Sequence, residues 1–197
     1  MSATVPASSE RVDAILRAAC RVVVREGAHG LRMATVAAEA GVSKALVHYY
    51  FATRQELLRS AFVYADGHLN EALGAELEGL ATGRERIERA LLAGVEPGPP
   101  FAEQRSLWNQ VWSGLADDDE LRPFVVQCYR AWIDRLTGLI AAGQADGSIP
   151  TGVDATTVGT RLAALADGLD SMLYLGLVDH HTAGSLAAAA LERELDG

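Results

Sequence analysis

Residues Met33 to Arg54 read MATVAAEAGVSKALVHYYFATR, and the glycine inside this run constrains the fold most. Val36, Ala37 and Ala40 precede Gly41, and Val42, Val47 and Tyr50 follow it, at spacings that bury one face of each of two short helices. Ala37, four residues before Gly41, is small enough for the helices to cross closely. Gly41 can adopt the positive φ that a sharp turn needs, and Ser43 stands where an N-cap belongs. Small-x-x-x-Gly alone fits many helical hairpins. Ser-Lys opening the second helix and an aromatic cluster closing it narrow the choice to a helix-turn-helix whose second helix enters a DNA major groove. The outward residues there are Lys44, Ala45, Leu46, His48 and Tyr49. Lys44 can meet a phosphate or a guanine edge, and the Tyr49 phenol a phosphate. Ala45 or Leu46 can touch thymine methyls. Lys44 is also the only lysine in 197 residues; the other sixteen of seventeen basic side chains are arginine.

Helical periodicity continues from end to end, and no strand-length alternation interrupts it. Ser8 and Ser9 can cap a first helix that Gly27 and Gly30 end. Thr53 and Glu56 form a capping box for a long helix reaching about Leu80. Gly83 separates it from RERIERALLAGV, and EPGPP at 96–100 is a firm break. A helix over about 101–115 follows. The acidic run Asp117 to Glu120 then caps a long helix over about 121–145. After the loop 146–152, Asp154 caps a helix to about Leu177, and HHTAGS precedes a last helix ending near Leu195. The expected fold is all-α, with about nine helices: a three-helix N-terminal domain over 1–53 and a larger helical domain over 54–197.

The net charge of −9 is unevenly distributed. Residues 1–60 hold eight basic and five acidic side chains, for +3. The rest holds nine basic and 21 acidic, for −12. A mildly basic head is compatible with DNA binding, because screening erases distant charge within about 8 Å. No apolar run reaches the roughly 18 residues of a membrane span, and MSATVPASSERVD lacks the features of a secretory signal. Cys20 and Cys128 are too few for a disulfide framework and read as reduced thiols. A cytoplasmic protein is expected. No nucleophile elbow, Walker loop or zinc spacing is present, so no catalytic residue, cofactor or metal is assigned. The run 117–120 lacks a nearby His or Cys, and the adjacent His180 and His181 are poorly placed to chelate one ion.

The stretch VAAEAGVSKALVHYYF, with Gly27 and Leu31 before it and ATRQELL after it, resembles the DNA-binding domain of the tetracycline-repressor (TetR) family of bacterial regulators. The likeness is close over about residues 10–60 and architectural beyond. It implies a homodimer on a palindromic double-stranded operator, released by a small-molecule effector. It also implies DNA contacts from Arg32, Ala34 and Thr35 at the second helix. Further contacts follow from Ser43, Lys44, Ala45, Leu46, His48 and Tyr49 on the third, and from Arg54 at the start of the fourth. Ala34, Leu46 and His48 depart from the residues usual in the family. The competing expectation is a helical small-molecule carrier or enzyme whose hairpin does not bind DNA.

Trp108 and Trp112 share one helix face, and Tyr129 and Trp132 share another. Together with Phe62, Asn109, Gln127 and Asp170 they are the expected effector-pocket group, although aromatics at helical spacing also fit a plain core. Aromatic rings beside carboxylates suit an organic cation. GSIP followed by RLAALADGLD is similar to the choline-responsive branch of the family. Within it, Asp167 reads either as another polar group of such a pocket or as a packing position bonded across a dimer. The small residues Gly159, Ala163, Ala166, Ala187 and Ala190 are the expected dimer face, with intramolecular packing as the alternative.

Overall fold

The computed structural model describes residues 8–98, 106–109, 119 and 121–196, and every regular element among them is helical. Compactness divides the chain into two units. One takes the described residues within Met1–His68 and Ser106–Phe124, the other those within Leu69–Arg105 and Val125–Gly197. This cut lies inside a helix, Arg54–Glu78. The physical reason is that the first turns of that helix carry Leu57, Leu58, Ala61 and Phe62, all buried in the first unit's interior.

In the first unit, α1 (Ser8–Glu26) presents Ile15, Ala18, Ala19, Val22 and Val23 at helical spacing, and all five are fully buried. Gly27, at φ 79°, ends it. One turn of 3-10 helix (Ala28–Gly30) then leads into α2 (Met33–Ala40). Gly41 takes φ 67° and ψ 30°, the left-handed conformation that turns the chain into α3 (Lys44–Tyr50). The Ser43 side chain accepts a hydrogen bond from the Leu46 amide at 3.1 Å, so the expected N-cap is present. Helix α4 (Arg54–Glu78) opens on half of the expected capping box: Thr53 caps it, but the Glu56 carboxylate reaches the amide of residue 52 rather than that of Thr53. The Glu56 amide donates to Thr53 Oγ1 at 3.0 Å, while the Glu56 carboxylate accepts from the Ala52 amide at 2.8 Å.

The second unit contains α5 (Gly83–Ala93), α6 (from Val125 of Arg122–Asp146), α7 (Ala155–Tyr174) and α8 (His180–Asp196) around one apolar core. Gly83 is the first residue of α5 rather than a separator, because Thr82 and Glu85 form a capping box that the sequence reading missed. The Asp154 carboxylate caps α7 by accepting from the Thr156 and Thr157 amides. Gly176, at φ 68°, closes the turn after α7. Helix α8 begins at His180, ahead of the expected start, because Asp179 Oδ1 accepts from the Thr182 amide at 2.7 Å and acts as its cap. The expected helix over 101–115 lies outside the described residues except at 106–109, which are helical. Of the acidic run, only Asp119 is described, and it is exposed.

The small-residue stripe takes part in packing within the chain, the alternative use expected for it. Gly159, Ala163, Ala166 and Ala187 are buried within a single chain. A Cβ on Gly159 would lie 2.7 Å from Thr137 Oγ1, so this position serves the close crossing of α6 and α7. Ala190 is half-buried.

Candidate nucleic-acid interface and effector half

Helices α1 and α2 pack together, as do α2 and α3. Val36, Ala37 and Val47 face inward, which fixes what faces out. Arg32, Ala34, Ser43, Lys44, Ala45, His48 and Tyr49 are exposed, and Thr35 and Leu46 are half-buried. Tyr49 is 79% exposed, unusual for a large aromatic, with its ring set edge-on to Tyr50 at 5.1 Å. Lys44 has no ion-pair partner among the described residues. These outward groups suit a duplex: a free ammonium, hydroxyl and imidazole donors, and small apolar groups at thymine-methyl scale.

Part of the basic surface of α1 is engaged elsewhere. Arg21 Nε donates to Glu39 Oε1 at 2.8 Å, and Arg25 Nη1 donates to Glu39 Oε2 at 3.0 Å. The hydrogen bonds from Arg21 and then Arg25 hold the Glu39 carboxyl below its usual range. These exposed pairs tie α1 to α2 but add little stability. Arg54, expected as a backbone contact, uses two of its nitrogens inside the protein. Nε donates to the Leu31 carbonyl at 3.0 Å and Nη2 to the Ala28 carbonyl at 2.5 Å. The sequence reading missed this role because the partners lie 23 and 26 residues away.

The expected pocket group is divided. Phe62, Trp108 and Asn109 belong to the first unit, where Phe62 is 2% exposed and packs against Trp108 at 5.8 Å between ring centroids. Trp112 lies outside the described residues. In the second unit Gln127 is exposed, while Tyr129, Trp132 and Asp170 are half-buried, and Trp132 packs against the core. Asp167 has a partner within its own chain, accepting a short hydrogen bond from the Tyr129 hydroxyl. Burial pushes the Asp167 carboxyl above its usual range, and the Tyr129 bond offsets this only in part. Burial, the bond to Asp167 and the charges of Asp167 and Asp170 all raise the Tyr129 phenol. The result is a half-buried, acidic and aromatic patch between α6 and α7. A separate shallow apolar crevice of about 370 Å³, lined by Leu92, Val95, Pro97 and His180 among others, contains none of the expected pocket residues.

No helix among the described residues is long and apolar enough to cross a membrane. No cluster of three or more His, Cys, Asp or Glu among them could hold a metal ion.

Comparison with known proteins agrees with this geometry. Residues 15–61 match the family described as bacterial regulatory proteins, tetR family. Residues 83–196 match the BetI-type transcriptional repressor C-terminal family. The chain is 30% identical over 160 residues to the HTH-type transcriptional regulator BetI of Rhizobium meliloti, covering 81% of this chain and 75% of the relative. A TetR-family crystal structure from Rhodococcus sp. superposes with TM-score 0.87 at 30% identity, over 95% of this chain and 99% of the other. A regulator structure from Saccharomonospora viridis in complex with choline gives TM-score 0.83 at 29% identity, over 95% and 98%. The exposed recognition face and the two family matches lead to one conclusion: the chain belongs to the TetR family of bacterial DNA-binding transcriptional regulators and carries a C-terminal half of the BetI type.

Proposed function

We propose that this regulator is an effector-released repressor that works as a cytoplasmic, non-enzymatic homodimer on a palindromic operator, and that its effector is an organic cation of the choline class. DNA contacts come from Arg32, Ala34, Thr35, Ser43, Lys44, Ala45, Leu46, His48 and Tyr49. The observation that carries the effector reading is the acidic and aromatic patch of Tyr129, Asp167 and Asp170, half-buried beside Trp132 on the same helix as Tyr129. A quaternary ammonium group needs no hydrogen bond and gains from nearby carboxylates and ring faces. The Saccharomonospora viridis relative in complex with choline supports the same class. Release requires only that the cation bind the DNA-incompetent state more tightly than the competent one.

Calorimetric titration with choline tests this. Binding is expected in the wild type, and Asp167→Asn is expected to weaken it about tenfold, a typical loss for one buried charged contact. A cation favours the carboxylate form of Asp167, so affinity falls as pH drops through that group's raised range. No heat with choline, but binding of a fatty acyl thioester, would overturn the cation reading.

The dimer reading rests on what α7 and α8 leave uncovered. Tyr174, Leu175 and Leu177 are 64–67% exposed and Leu186 is 46% exposed, an apolar group at the α7–α8 turn and on α8. Paired subunits also set two recognition helices about 34 Å apart, one turn of DNA. In sedimentation velocity the wild type is expected to run as a dimer and Leu177→Asp to shift it towards monomer. A monomeric wild type at micromolar concentration would refute the dimer.

A further inference from the structure

The Arg54 guanidinium is bound by backbone rather than by a carboxylate. The two carbonyls it meets belong to Ala28 and Leu31, which are 2% and 1% exposed. Buried carbonyls need partners, and an irregular turn between two helices has few of its own. Here the Leu31 amide reaches the Ala28 carbonyl only at a long 3.4 Å. The turn leads directly into Arg32, the N-cap of α2. At the other end, Arg54 is the first residue of α4, three residues beyond buried Phe51 at the end of α3. Bonds from the Glu56 amide to Thr53 Oγ1 and from the Ala52 amide to the Glu56 carboxylate hold that first turn. One planar side chain therefore joins the segment that enters the helix-turn-helix to the segment that leaves it.

We propose that Arg54 is a positioning residue that clips the two ends of the helix-turn-helix together and so fixes the angle at which α2 and α3 meet DNA, and that it is not a phosphate contact. The chemistry suits arginine and not lysine. A guanidinium presents its donors in a flat fork, and here Nε and Nη2 reach two carbonyls three residues apart. A lysine ammonium is a point charge on a flexible stem and cannot reproduce the fork. Loss of the clip leaves two buried carbonyls short of a donor and frees the approach to α2.

The two roles separate experimentally. The probe is the duplex that wild-type protein enriches from a random-sequence pool, titrated at several salt concentrations with wild type, Arg54→Lys and Arg54→Gln. A second measurement, amide hydrogen exchange of the DNA-free proteins, needs no operator. As a positioning residue, Arg54 predicts that both variants bind about tenfold or more weakly, with the salt slope unchanged. Exchange at residues 31–36 accelerates, while α7 and α8 stay protected. As a phosphate contact, Arg54→Lys keeps wild-type affinity, Arg54→Gln lowers the slope by about one per subunit, and exchange at 31–36 does not change. Either wild-type binding by Arg54→Lys or unchanged exchange overturns the proposal.

Discussion

Gly83→Ala is expected to destabilise the protein by about 3 kcal/mol, the upper end for overpacking a well-packed site. For a chain of this size that lowers the melting temperature by about 6–12 °C. A Cβ at residue 83 would lie 2.2 Å from Gly143 N, 2.4 Å from Gly143 Cα and 2.9 Å from the Ala142 carbonyl carbon. All three are backbone atoms, so no side chain can rotate aside, and α5 must move away from α6. That movement also strains two bonds across the same crossing. The Gly83 amide donates to Asp146 Oδ2 at 2.7 Å, and the Arg84 amide donates to Ser148 Oγ at 3.1 Å. Gly138→Ala, with open space around the added carbon, is the control and should be neutral or stabilising by up to about 1 kcal/mol. Equal melting temperatures for Gly83→Ala and wild type would refute the close crossing.

Lys44→Ala is expected to weaken operator binding by about tenfold, the scale of one charge-assisted contact. If the ammonium meets phosphate, the salt slope falls by about one per subunit. If it reads a guanine edge, affinity falls selectively for operators keeping that base, with a smaller change in slope. The environment favours a strong effect, because Lys44 is exposed at the first position of α3 with no ion pair among the described residues. The sequence offers a direct check. Apart from the chain terminus, Lys44 carries the only primary amine, so amine-reactive labelling reports on one side chain. Labelling at Lys44 should drop when the duplex is bound. Unchanged labelling together with unchanged affinity would remove Lys44 from the interface.

The DNA-reading half was largely legible because its signals are local. Gly41, Ser43 and the Thr53 cap each act within three or four residues, and their backbone consequences follow from sterics and nearby donors. Missed starts have the same origin. Thr82 with Glu85, and Asp179 ahead of His180, are local caps that set two further helix starts. The second unit was less legible, because small and aromatic residues at helical spacing fit a core, a pocket or an interface equally well. Gly159 and Ala187 face inward only because α6, α7 and the neighbouring helices converge there. Tyr174, Leu175 and Leu177 stay exposed because none of the described residues covers them.

The sequence alone therefore determined the all-helical class, the helix-turn-helix and its outward residues, Lys44 among them. Backbone conformation is decided by neighbours within one turn, and a helix face by a period of 3.6 residues. Only the tertiary structure decided which distant groups pair. Arg54 turned inward to Ala28 and Leu31, Asp167 met Tyr129 38 residues away, and Gly83 pressed on the backbone of Gly143. Each of these depends on how helices stack, and stacking is set by the summed burial of whole faces rather than by any short run of residues.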